Sequence, residues 1–163
     1  MIVILADTHM PKGGRRLPER AVKLLREAEV TFHAGDFFTA EILREVKALS
    51  RGPVHAVRGN VDDAALRRLL PETLEVELRG ARIAMIHDAG PAKGRLGRMR
   101  ARFPEADAVV FGHSHLPLQE EKDGFQIFNP GSPTERRRAE HHSIGRLKIV
   151  GGHPIFRHLW LDD

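Results

Sequence analysis

The feature that most constrains this chain is a punctuation that recurs along it: a short apolar run that stops at a small residue and a polar side chain able to ligate. Ile2-Val3-Ile4-Leu5-Ala6 runs into Asp7-Thr8-His9, Val30 to Ala34 into Gly35-Asp36, and Val54 to Arg58 into Gly59-Asn60-Val61-Asp62. Short apolar runs bounded by turn residues read as buried strands. Between them lie two stretches with helical spacing. One carries Leu17, Ala21, Leu24, Leu25 and Ala28, with Pro18 where a first-turn proline is tolerated. The other runs from about Thr39, an N-cap residue type, to Leu49, with Ile42, Leu43 and Val46 on one face. The pattern predicts an α/β protein that begins with βα crossovers.

After residue 72 the rhythm changes. Thr73 to Arg79 alternates apolar and polar residues, Gly80 punctuates, and Ala81 to Ile86 resumes, which predicts a hairpin ending at His87. A basic helical segment, about Lys93 to Phe103, precedes Val109-Val110-Phe111-Gly112-His113-Ser114-His115. If the backbone beyond Gly112 is extended, side chains at i and i+2 share a side, and both histidines reach one site. Leu118 to Lys122 and Phe125 to Phe128, joined by Asp123-Gly124, predict another hairpin. Asn129-Pro130-Gly131-Ser132-Pro133 is a turn, and two strands, about Ser143 to Val150 and Pro154 to Leu161, follow. The simplest arrangement is two sheets packed face to face with helices outside. The 163 residues suit one domain, 1–163.

Composition narrows the chemistry. Without cysteine the chain has no disulfide framework, no thiolate nucleophile and no zinc-finger type site, so any metal must be held by His, Asp, Glu or Asn. Tyrosine is absent too, which removes a phenolate ligand. Nothing after Met1 resembles a signal peptide and no segment approaches the ~20 apolar residues that span a bilayer, so a soluble cytoplasmic protein with no membrane partner is expected. A net charge of +4 and a pI near 9.9 permit polyanion binding, but 22 acidic residues lie among 26 basic ones.

In open α/β architectures the functional crevice lies outside the carboxyl ends of the strands. There the chain puts Asp7, His9, Asp36, Asn60, His87, His113 and His115. Singly, each has an ordinary explanation: Asp7-Thr8-His9 as an Asx-turn with a surface histidine, Gly35-Asp36 as a turn, Asn60 and Asp62 as turn and cap residues. Turn chemistry gives no reason for all of them to end successive strands. Together they form a mixed N/O set suited to Mn, Fe, Zn or Ni, and too nitrogen-rich for a dedicated Ca or Mg cage. Seven ligands exceed the need of one ion. Two ions ~3.5–4 Å apart with a shared carboxylate would use them all, and such a pair promotes in-line displacement at phosphorus.

The order Asp-x-His, Gly-Asp, Gly-Asn-x-Asp, His, Gly-His-x-His resembles the calcineurin-like metallophosphoesterase superfamily, and the match covers essentially the whole chain. Val-Arg-Gly-Asn-Val-Asp at 57–62 and Asn-Pro-Gly-Ser at 129–132 resemble its small prokaryotic phosphodiesterase branch. The resemblance implies a four-layer αββα sandwich of two mixed sheets flanked by helices, and a single metallophosphoesterase domain. It implies that Asp7, His9, Asp36 and His115 hold one divalent ion and that Asp36, Asn60, His87 and His113 hold the other, with Asp36 bridging. Manganese is the first expectation, with iron, zinc, nickel or magnesium as alternatives. A hydroxide bridging the metals would attack phosphorus in line while Asn60 helps to stabilise phosphoryl charge. Catalysis would thus rest on Asp36, Asn60 and His87.

Two positions depart from the wider superfamily. Many members carry histidine directly after the asparagine, where it can protonate the leaving group; here the residue is Val61. His87 is followed by Asp88 rather than glycine, and Asp88 would either support the site or cap a turn. Among the remaining histidines, His33 is expected as a satisfied core residue, while His141, His142, His153 and His158 lie outside every motif. Asp62 is expected to hold the Asn60 loop, and Arg136-Arg137-Arg138 to form a solvated face. The expected substrate is a small phosphate ester, with nucleic acid a less favoured target and a homodimer common among relatives. A non-enzymatic alternative is an interaction scaffold, because a retromer subunit of eukaryotes shares the fold; that reading predicts degraded ligands. The substrate-facing stretches are expected to be loops 10–16, 61–72 and 88–98.

Overall fold

A computed structural model describes residues 1–162. Strands β1 (Ile2–Leu5), β2 (Val30–His33) and β3 (Val54–Ala56) are parallel, linked by helices α1 (Glu19–Glu27) and α2 (Ala40–Leu49). The chain then passes through α3 (Ala64–Leu69) into a second sheet: β4 (Thr73–Leu78), β5 (Ala81–Ile86), helix α4 (Arg95–Arg102), β6 (Ala108–Val110), β7 (Leu118–Lys122) and β8 (Phe125–Asn129). The last two strands, β9 (Ser143–Val150) and β10 (His153–Trp160), return to the first sheet. The strand orders are β10-β9-β1-β2-β3 and β4-β5-β6-β8-β7. Both sheets are mixed. β9 runs antiparallel to β1 in the first, and β5, β6 and β8 are parallel between antiparallel β4 and β7 in the second.

Alternation along the strands creates the layers. In β1, Ile2 and Ile4 face the second sheet, where they meet Ile83, Met85, Val110 and Phe128; Val3 and Leu5 face α1 and α2, against Leu25, Leu43 and Val46. On the far side of the second sheet Ala84, Val109 and Ile127 pack on Met99 and Phe103 of α4 and its C-terminal end. A strand buried on both faces must be apolar at every position, which is why 2–6 reads as a continuous run. The result is the expected αββα sandwich.

Three local expectations need correction. The stretch 61–72 is not a loop throughout: it holds α3, whose N-cap Asp63 accepts a hydrogen bond from the Leu66 amide at 2.9 Å. Six helical residues carry too little periodicity to stand out. The stretch 10–16 likewise contains a 3-10 turn, Lys12–Gly14. Thr39 occupies the N-cap of α2 but its side chain makes no capping hydrogen bond.

Candidate metal centre

The ends of β1, β2, β3, β5 and β6 converge where the two sheets meet. Backbone hydrogen bonds zip the first two loops together, from Asp7 N to Gly35 O and from His9 N to Asp36 O, both 3.0 Å. Asp62 ties in the third: its carboxylate accepts from the amides of Gly59 (2.7 Å), Phe38 (2.9 Å) and Asp36 (3.1 Å). Asp62 thus holds the Asn60 loop, as expected. Two glycines allow the approach. A Cβ on Gly59 would lie 2.0 Å from Asp36 Oδ1, and one on Gly112 would lie 2.8 Å from Asp7 Oδ2.

Five of the seven expected ligands adopt left-handed backbone: Asp7 (φ 55°), His9 (43°), Asp36 (64°), His113 (71°) and His115 (61°). Such φ values are uncommon outside glycine, and they cluster where the surrounding structure enforces a functional geometry. They also correct the expectation of extended backbone after Gly112. His113 and His115 do not share a side by strand alternation; His115 is fully buried and His113 exposed.

The structure brings all seven residues together. Asp36 Oδ2 lies 3.2 Å from His9 Nε2 and 3.1 Å from His87 Nε2, between the two rings. Asp7 Oδ1 lies 3.5 Å from His115 Nε2, 3.8 Å from His9 Nε2 and 3.9 Å from His87 Nε2. Asn60 Oδ1 is 2.9 Å from His87 Nε2 and 3.1 Å from His113 Nδ1. Two groups have ligand atoms within 4.8 Å of one another, Asp7-His9-His115 and Asp7-Asp36-His87.

Each buried imidazole is oriented from behind. His87 Nδ1 donates to Ala34 O (2.8 Å), His115 Nδ1 to the carbonyl of Glu135, and His9 Nδ1 faces Glu135 Oε2 at 3.4 Å. With Nδ1 so engaged, Nε2 of each is the nitrogen turned inward, the arrangement usual for metal-ligating histidine. Glu135 was not singled out from the sequence, although it closely follows the Asn-Pro-Gly-Ser turn. Ser132 Oγ of that turn donates to Asp7 O (2.7 Å), which carries Glu135 to the site, and Arg15 pairs with its carboxylate at 3.1 Å.

A metal fits what these residues leave open. Asp7 Oδ1, His9 Nε2 and His115 Nε2 are buried, face one another and make no well-formed hydrogen bond, His9 Nε2 having only the Asp36 carboxylate 3.2 Å away. Buried polar atoms without partners are costly, and three of them aimed at a common point match a cation. The charges agree. Burial alone would lower the pKa of His9, but the Asp36 and Asp7 carboxylates outweigh it and raise the ring to about 9. Burial would raise Asp36, but His87 and His9 and the Val61 amide hold its carboxyl well below the usual carboxylate range. His87 is raised as well, against burial, by Asp36 and Asp7.

The remaining residues fall into place. His33 is fully buried; its Nδ1 accepts from Gly35 N (3.1 Å), its Nε2 faces Thr8 Oγ1 (3.2 Å), and its ring stacks on Phe37 with centroids 3.6 Å apart. Burial, with the nearby charge of His87, pushes it down to about 3, so it is a satisfied neutral core residue. Asp88 accepts from Gly90 N (2.8 Å), capping a turn, and its other oxygen lies 3.9 Å from His113 Nε2. Arg136, Arg137 and Arg138 are exposed, as expected, with Arg137 donating to His113 O at 3.4 Å.

Similarity to known proteins agrees with this geometry. A probable metallophosphoesterase of Methanothermobacter thermautotrophicus is 32% identical over 153 residues, covering 93% of this chain and 87% of its own. Among solved structures, wild-type Vps29 of Entamoeba histolytica complexed with Zn2+ superposes with a TM-score of 0.77 at 20% identity over 99% of both chains. A novel archaeal phosphodiesterase superposes with a TM-score of 0.74 at 21% identity, over 97% of this chain and 99% of that one. Both structural likenesses speak to fold alone. The calcineurin-like phosphoesterase superfamily domain matches residues 1–152, and with seven ligand-type side chains meeting at the seam of the two sheets, the chain belongs to that superfamily.

Proposed function

We propose that this protein is a two-metal phosphodiesterase acting on small phosphate esters, with residues 1–163 forming one metallophosphoesterase domain that works in the cytoplasm. The observation that carries the reading is the set of buried, unpartnered atoms Asp7 Oδ1, His9 Nε2 and His115 Nε2. Asp7, His9, Asp36 and His115 would hold one ion, and Asp36, Asn60, His87 and His113 the other, with manganese the first to try. Bound there, two divalent cations would supply Lewis-acid charge for the phosphoryl group and lower the pKa of water to near neutrality.

The chain's own residues supply position and polarity. Asp62 and the Val61 amide fix Asp36, whose Oδ1 accepts from Val61 N at 3.0 Å, leaving Oδ2 between the two histidine rings. Asn60 turns Oδ1 toward His87 and His113, so its amide nitrogen is the donor left for a phosphoryl oxygen. Val61 offers no proton to a departing alkoxide, so rates should depend steeply on the leaving group's acidity.

The test is hydrolysis of bis-p-nitrophenyl phosphate by the Mn2+-loaded protein. Loss of activity in Asp36→Asn and His87→Ala is expected, and activity unchanged by either substitution overturns the reading. The scaffold alternative calls for degraded ligands, and all seven positions carry ligating side chains.

A further inference from the structure

The three buried imidazoles differ in what stands behind them. His87 and His115 each meet a main-chain carbonyl, of Ala34 and of Glu135. His9 instead meets the Glu135 carboxylate, whose Oε2 lies 3.4 Å from Nδ1, an ion-pair contact rather than a short hydrogen bond. A charged side chain thus stands where the other two rings have backbone.

Glu135 is held at both ends. Its amide donates to Ser132 Oγ (2.9 Å), and the neighbouring Thr134 Oγ1 donates to Thr8 O (2.6 Å), so the turn is fixed to the strand end that carries Asp7 and His9. Its carboxylate is divided between two partners. Oε1 takes Arg15 Nη2 at 3.1 Å, which leaves Oε2 for His9. Arg15 itself follows the 3-10 turn, its amide donating to Lys12 O at 3.2 Å.

Stability is a poor reason for this ion pair. The side chains are 24% and 26% exposed, and ion pairs open to solvent contribute little. Arg15 Nη1 is moreover buried without a hydrogen-bond partner, which costs free energy. The guanidinium is therefore placed against Glu135 at a local loss, as happens at functional sites. A carboxylate behind a ligating histidine fixes the ring's orientation and strengthens the inward nitrogen as a donor. By engaging Oε1, Arg15 keeps the carboxylate turned toward His9.

We propose that Arg15 and Glu135 are a positioning pair for the ion of the buried side: Arg15 sets the Glu135 carboxylate, and the carboxylate sets the His9 ring so that Nε2 meets the ion. The inference rests on the metal-binding reading above and adds two residues that act on it through His9. In Mn2+ titration calorimetry of the full chain, Glu135→Ala should weaken binding of the tighter ion by about ten- to a hundredfold. Glu135→Gln, which keeps a neutral acceptor, should fall between that variant and the parent. Arg15→Ala should weaken binding less, and the double variant no more than Glu135→Ala alone, because Arg15 acts through the carboxylate. In proton NMR of the Zn2+-loaded protein the His9 Nδ1 proton should be visible in the parent and lost to solvent exchange in Glu135→Ala, while that of His115, whose partner is backbone, persists. Affinity unchanged in Glu135→Ala, losses that add in the double variant, or a His9 proton that persists or disappears together with that of His115 overturn the positioning role and leave metal binding standing. No Mn2+ bound by the parent protein overturns both.

Discussion

The two sides of the metal centre are built in different ways. On one side Asp7, His9 and His115 are buried, the outer nitrogens of the two histidines face Glu135, and the inward atoms make no well-formed hydrogen bond, His9 Nε2 having only the Asp36 carboxylate 3.2 Å away. On the other, Asn60 and His113 are exposed, and Asn60 Oδ1 is satisfied by the two imidazoles beside it. A ligand set that satisfies itself must give up hydrogen bonds to bind an ion, whereas one with orphaned buried atoms gains partners for them. The buried side should therefore bind first and more tightly, with the open side binding second and exchanging more readily.

The largest effect should come from the buried side. Asp7→Asn is expected to lower bis-p-nitrophenyl phosphate hydrolysis by more than about a hundredfold, beyond the loss that follows removal of an outer-sphere partner, and to empty the centre as read by metal analysis. Asn60→Ala should lose less activity and keep close to one ion per chain. If Asn60→Ala also empties the centre, the contrast between the sides fails.

Ion binding should also stabilise the fold, because the unfolded chain cannot assemble the set. Manganese at about 100 times its dissociation constant should raise the unfolding free energy by about 2.7 kcal/mol, seen in denaturant titration. That gain should survive in His113→Ala and vanish in His115→Ala. Equal loss in both would mean that the two sides load as a unit.

A pH dependence sharpens the same comparison. The His9 pKa of about 9 means that without metal the ring is protonated at pH 7.5, and a ligand nitrogen must be free of its proton. Affinity at the buried side should consequently fall as pH drops below about 9, by about tenfold per unit for each proton displaced. Isothermal titration in two buffers of different ionisation enthalpy should detect the released protons, and none released at pH 7.5 would contradict the charge state of His9.

Much of this is legible in the sequence, because it depends on patterns that repeat. Strands buried on both faces leave continuous apolar runs such as 2–6, and the residue ending each run was identifiable as ligand-type. Asp62 could be recognised as the holder of the Asn60 loop because its place in the motif is fixed. What escaped was set by tertiary contact. The backbone of His113 and His115 is left-handed because loops packed around Gly112 impose it, which no spacing rule conveys. Glu135 reaches His9 and His115 only because Ser132 anchors its turn to Asp7, far away in sequence. α3 is too short to show a period, and its sole local mark is the Asp63 cap.

His33 has a consequence for how the centre attracts ions. It sits behind the Asp36 loop, bonded to Gly35 N and Thr8, yet burial keeps it uncharged down to about pH 3. A basic side chain there would set a fixed positive charge against every incoming cation and neutralise part of Asp7 and Asp36. An uncharged ring, held between Thr8 and Phe37, works instead as an electrical insulator that leaves the negative potential of both carboxylates whole for the ions.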